Sequence, residues 1–129
     1  MANIKQEAEM VKKFKRDHLY NCTILENYSV GIDLIPENIK GLYDLYGDAK
    51  YLGTKKIDLI LIDEERTIIE VKERLNMESI GQVLSYQILY ELQCPQHKGK
   101  TKPGILCKWL DPILMPVVKE FNIKIFQCT

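Results

Sequence analysis

The chain has 129 residues, 46% of them apolar, and a formal net charge of zero. That length suits one domain over residues 1–129 and is short for two, and the apolar share supplies a core. Zero net charge excludes a role resting on bulk charge, so any nucleic-acid contact must come from local basic patches. Four cysteines, Cys22, Cys94, Cys107 and Cys128, lack metal-site spacing. Cys94 with His97 falls short of the roughly four ligands that zinc needs, and no compact cysteine array suggests an iron–sulfur cluster. They read as free thiols in a reducing compartment. Met1 leads into a charged segment rather than a signal peptide. No apolar stretch approaches the ~20 residues that cross a bilayer. The expected location is therefore cytoplasmic, away from membranes.

Taken in chain order, residues 4–19 place Ile4, Glu7, Ala8, Val11, Phe14, Lys15 and Leu19 at helical spacing. "CTILENYSV" (22–30), rich in β-branched and aromatic residues, predicts a strand. Residues 31–54 hold Gly31, Pro36, Gly41, Gly47 and Gly53 and read as loop, with a short helical turn around 37–45. Strands follow at 56–62 and 67–73, joined through Asp63–Arg66 as a hairpin. Ile57, Leu59 and Leu61 are expected on one face and Ile60 and Ile62 on the other, so both faces need cover. "MESIGQVLSYQILYELQ" (77–93) predicts a helix with Ile80, Val83, Leu84, Ile88 and Leu92 as its apolar stripe, and Leu89 also in the core. "CPQHKGKTKPG" reads as a basic loop and residues 104–109 as a strand. Residues 111–121 read as a helix, capped by Asp111, with Pro112 at its first position and Pro116 as a source of a kink. Residues 123–128 form the last strand. A hairpin followed by alternating helices and strands predicts an α/β domain, a mixed central sheet with helices on both faces.

Acids in the apolar hairpin need a reason. Residues two apart on a strand share a face, so Glu70 and Lys72 point the same way. Asp58 joins them if the hairpin pairs it with position 70 or 72. Two unpaired carboxylates there would repel and raise a pKa. A divalent cation resolves the conflict: carboxylates plus the Val71 carbonyl suit hard Mg²⁺ or Mn²⁺. Lys72 would orient a water or stabilise charge on a phosphate.

Asp58, followed twelve positions on by Glu70-Val71-Lys72, resembles the motif of the PD-(D/E)XK nuclease superfamily. Ile57 stands where the motif has its proline. "EAEMVKKF" supplies Glu7 in phase with Ile4 and Val11, similar to the acid on the family's first helix. "GQVLSY" supplies Gln82 and Tyr86 one turn apart, which looks like the RecB-like branch, while the Glu7 helix also resembles archaeal resolvases. The resemblance spans about residues 4–127, with 31–54 unmatched. It implies the restriction-endonuclease-like order α-β-β-β-α-β-α-β. It further implies Asp58 and Glu70 as metal ligands, Lys72 as the catalytic lysine, Glu7 on the metal directly or through water, and Gln82 lining the site. Tyr86 either touches DNA or packs.

Blander readings exist for each residue: Asp58 as a strand-start cap, Glu7 as an acid favoured by the helix dipole, Lys72 to Arg74 as a solvated strand end. Yet "TIIEV" is too apolar for Glu70 to lie there without a partner. Candidate DNA contacts are Lys12 on the first helix, Lys50, Lys55 and Lys56 ahead of Asp58, Arg74, and Tyr86. The acids at 63–65 lie at the far end of the hairpin. The expected function is a Mg²⁺- or Mn²⁺-dependent DNA endonuclease or exonuclease in repair, recombination or restriction. Cutting both strands would call for a homodimer or a partner protein. The alternatives are a non-hydrolytic nucleic-acid-binding module of the same fold, and an α/β interaction module whose acids and lysine form an ion-pair network.

Overall fold

The computed structural model describes residues 4–18, 22–31 and 55–128. The loop expected at 31–54, apart from Gly31, and Lys50 and Leu19 with it, lie outside the described residues. Five strands, β1 (Thr23–Val30), β2 (Lys55–Ile62), β3 (Arg66–Val71), β4 (Thr101–Cys107) and β5 (Lys124–Gln127), form one sheet in sequence order. β1–β2 and β2–β3 are antiparallel; β3–β4 and β4–β5 are parallel. Parallel neighbours need crossovers. Helix α2 (Met77–Gln93) makes the first and the short helix α3 (Met115–Glu120) the second. Helix α1 (Ile4–His18) precedes the sheet.

The strand alternation distributes the core onto two faces. Met10 and Phe14 of α1 cover Leu59, Leu61, Ile69, Val71 and Leu106 on one face. Each such buried side chain contributes roughly 1.5–3 kcal/mol. On the other face Tyr90 of α2 packs with Val30, Ile57, Ile60 and Ile68. Ile80 and Val83 join Val118 of α3 over Ile105, Cys107 and Ile123. The expected α/β architecture, a mixed sheet with helices on both faces, is the one observed.

Several local expectations are corrected. β4 starts at Thr101, inside the segment read as basic loop, and ends at Cys107 rather than 109. Gly, Lys and Pro made Thr101–Pro103 read as loop, but parallel pairing with Arg66–Ile68 captures them. From α2, Gln87 donates to the Thr101 carbonyl at 3.2 Å, and Glu91 accepts from the Gly99 N–H at 2.8 Å and from the Thr101 hydroxyl. Ile88 and Leu92 are exposed, not core. Five residues on from Val83 lies about 140° round a helix, so Ile88 turns away once Val83 and Tyr90 face the sheet. Leu89 is partly buried against Tyr90.

The helix expected at 111–121 is a 3₁₀ turn, Pro112–Leu114, followed by α3. Asp111 caps the turn, accepting from the Ile113 N–H at 3.0 Å. Pro116 falls in the first turn of α3, where a backbone N–H has no intrahelical partner, so it causes no kink. Ile57 sits with Ile60 rather than with Leu59 and Leu61, for a reason that also shapes the site. The four cysteines are free thiols. Among the described residues no helix is long and apolar enough to cross a membrane.

Candidate functional site

The site forms where β2 and β3 part. A three-residue turn, Asp63–Glu65, sets the hairpin register at Ile62↔Arg66 through Leu59↔Ile69. Continued by one step, that register sets Asp58 beside Glu70. The β1–β2 ladder pairs Glu26 with Leu59 and Tyr28 with Ile57, passing over Asn27 and Asp58. Asn27 has φ 53°, the left-handed conformation that asparagine tolerates best among residues with a Cβ. The alternation slips there, which carries Ile57 and Tyr28 to the face of Ile60.

Asp58 then bonds through its side chain. Lys72 N–H donates to Leu106 O on β4 at 2.9 Å, so the Val71 N–H before it faces β2. It donates to Asp58 Oδ2 at 2.8 Å. The Val71 side chain itself is core. Glu70, paired with Ile105 of β4, is 7% exposed, and its Oε2 is buried with no hydrogen-bond partner. Burial, then the Asp58 charge and a hydrogen bond with that carboxyl, push the Glu70 pKa up to about 9 against a smaller opposing pull from Lys72.

Glu7 of α1 reaches the same region. Burial raises its pKa, Lys72 counteracts, and Asp58 raises it further, while a backbone hydrogen bond from Glu73 lowers it. Lys72 Nζ lies 3.9 Å from Glu78 Oε1, the glutamate largely exposed. Helix α2 is fixed at its start by a capping box: Ser79 N–H donates to Asn76 Oδ1 at 2.7 Å and Asn76 N–H to Ser79 Oγ at 3.1 Å. Glu78, Gln82 and Tyr86, four apart, then line an open groove of about 450 Å³ with Lys55, Gly81, Ser85 and Leu89. Tyr86 has its pKa raised by burial and then by Glu70 and Asp58.

The structure thus brings Asp58, Lys72, Glu7 and Tyr86 into electrostatic reach of Glu70, and Lys72 and Asp58 into reach of Glu7, with Gln82 and Lys55 along the adjoining groove. Lys56 is exposed at the start of β2. Lys12 instead lies in a groove against β1, with Ala8, Val11, Lys15 and Glu26. Arg74 stands further on, beside Trp109. Glu78 was missed by the sequence reading; its spacing of four from Gln82 was the available signal. Among the described residues no group of three or more His, Cys, Asp or Glu side chains is arranged to hold a metal ion. The Glu7, Asp58 and Glu70 carboxyls therefore do not close on one point as a three-acid metal site.

These features define an α/β fold of the restriction-endonuclease-like kind. Its architecture is shared with the crystal structure of a repair endonuclease from Pyrococcus abyssi: TM-score 0.63, 10% sequence identity, covering 95% of this chain and 46% of that one. The chain thus spans about half the length of that neighbour, and at such identity the likeness speaks for the fold. No family model and no curated protein matches the sequence.

Proposed function

We propose that the protein is a metal-dependent nuclease hydrolysing DNA phosphodiester bonds. One observation supports this most. Glu70 Oε2 is buried and unpartnered beside the carboxyl of Asp58. As anions the two would repel, and a divalent cation relieves both the repulsion and the missing partner. Mg²⁺ or Mn²⁺ fits, since such ions take one or two carboxylates and keep several waters. Asp58 and Glu70 would hold it, with the Val71 carbonyl as a further oxygen; Glu7, which does not close a three-acid site with them, would reach it through water. When bound, such an ion supplies Lewis-acid stabilisation of charge building on a phosphodiester.

The chain's own groups do the rest. Lys72, exchanging the exposed Glu78 carboxylate for a phosphate oxygen, holds the reacting group and orients a water for in-line attack. Gln82 and Tyr86 line the path of the strand. Lys55 and Lys56 neutralise flanking phosphates without reading sequence. The endonuclease title of the structural neighbour is in keeping with this chemistry.

The test is a panel of labelled linear, nicked, branched and single-stranded DNAs with Mg²⁺, Mn²⁺ and Ca²⁺. Asp58→Ala, Glu70→Ala and Lys72→Ala should each abolish cleavage in a folded protein. Metal-dependent cleavage persisting in all three refutes the assignment. Binding that is indifferent to cations and never leads to cutting would favour the non-hydrolytic module.

A further inference from the structure

Beyond the carboxylate site lies the chain's one tryptophan, Trp109. The residue is 48% exposed and belongs to none of the three apolar clusters. The backbone beneath it is tied down. Trp109 and Lys108 N–H both donate to the Glu73 carbonyl, at 3.0 and 2.9 Å, and Leu75 N–H donates to the Trp109 carbonyl at 2.9 Å. A parallel bridge joins Arg74 to Trp109. Arg74 is two residues past Lys72, at most about 7 Å of chain. Trp109, on the segment leaving β4, is therefore held by its backbone beside the segment leaving β3, at a fixed offset from Lys72.

Two cations flank it. Arg74 Cζ lies 6.0 Å and Lys108 Nζ 5.7 Å from the ring centroid. Both lie over the ring at the outer limit of cation–π range, about 6 Å from the centroid, so a base stacking there displaces only weak contacts. Asp111, the acid that follows in sequence, is engaged by the Ile113 N–H. A wholly apolar partner would bury these cations without compensation. A nucleotide satisfies both features, with its base on the ring and its phosphate between the cations. Bases in a duplex already have both faces stacked, so the ring selects an unpaired one.

We infer that Trp109, flanked by Arg74 and Lys108, is a stacking platform for an unpaired nucleobase of a strand lying across the Asp58–Glu70 site. This rests on the nuclease reading only in taking nucleic acid as the ligand. It narrows the substrate class to single-stranded or locally opened nucleic acid.

As the sole tryptophan, the ring reports on itself. Titrating the full chain in EDTA with oligothymidylate should quench its fluorescence to saturation, and a blunt duplex should quench it far less. Trp109→Ala should weaken binding of labelled oligothymidylate, read by anisotropy, by roughly five- to hundredfold, the range of one base–aromatic stack. Trp109→Phe should restore most of it, which sets a stacking role apart from a folding defect. Unchanged oligothymidylate affinity in Trp109→Ala, or wild-type binding without quenching, overturns the inference. Cleavage of the same oligonucleotides with Mn²⁺ is scored in parallel. Quenching without cleavage by any form sinks the nuclease reading and leaves the platform standing. Cleavage with unaltered Trp109→Ala affinity does the reverse.

Discussion

Replacing Glu70 by glutamine should stabilise the metal-free protein at and above neutral pH. Glu70 is held protonated by the fold, its pKa raised from 4.5 to about 9, and ionises in the unfolded chain near the ordinary value. A carboxyl raised in this direction contributes fully below its unfolded pKa, and that contribution is lost as pH rises towards the folded one. The slope is ~1.4 kcal/mol per pH unit. Between pH 4.5 and 7 the loss is about 3 kcal/mol, a large share of the 5–15 kcal/mol typical of a domain. Glutamine keeps the shape and cannot ionise. In EDTA, wild type and Glu70→Gln should melt together near pH 5 and diverge by ~10 °C by pH 7, the variant higher. Mn²⁺ should then raise the wild-type Tm and leave the variant's unchanged; at a hundred times Kd the gain is about 2.7 kcal/mol. Superimposable pH–Tm curves for the two proteins in EDTA would refute the burial and repulsion assigned to Glu70.

Two further outcomes follow from the scaffold. Asn76→Ala removes the capping box of α2, with an expected loss of about 1 kcal/mol in urea unfolding; because α2 carries Gln82 and Tyr86, cleavage should fall more than stability alone explains. Gly104→Ala sets a Cβ 3.0 Å from both Phe126 and Thr67 side-chain atoms and 3.4 Å from Ile69. It should cost roughly 1–3 kcal/mol by overpacking, seen as a lower urea midpoint with an unchanged slope.

The hairpin and its acids were legible because they obey local rules. The apolar runs in "KIDLILI" and "TIIEV", with the twelve-residue spacing, leave few registers, and the observed one brings Asp58 beside Glu70. What escaped were features decided by tertiary partners. Thr101–Pro103 has loop composition and becomes a strand because Arg66–Ile68 offers an open edge. The slip at Asn27 is invisible because asparagine adopts left-handed backbone in turns as readily as here. The α2 stripe was misread because apolar residues occupy both sides of that helix; Tyr90, an aromatic with a polar tip, took the buried side with its hydroxyl accepting from Arg66 at 3.1 Å. Glu78 went unweighed because nothing local tied it to Lys72.

The ion-pair reading of the acids is weakened by what Lys72 does. Had Asp58, Glu70 and Lys72 been a structural network, the lysine would neutralise the buried acid, since a buried charge without a partner is expensive. Its Nζ instead lies 3.9 Å from the exposed Glu78, a contact that contributes little in water. Glu70 Oε2 is left without a partner at the middle of the sheet, on a strand whose neighbours Ile68, Ile69 and Val71 are packed core. A valine or isoleucine at 70 would fit those surroundings with no polar atom to satisfy. On the proposed reading, a ligand that binds the acid and recruits the lysine accounts for a buried carboxyl oxygen without a partner beside a lysine held only weakly by Glu78. A cation with a phosphate beside it meets both demands, and a protein partner would have to bring both charges to the same place.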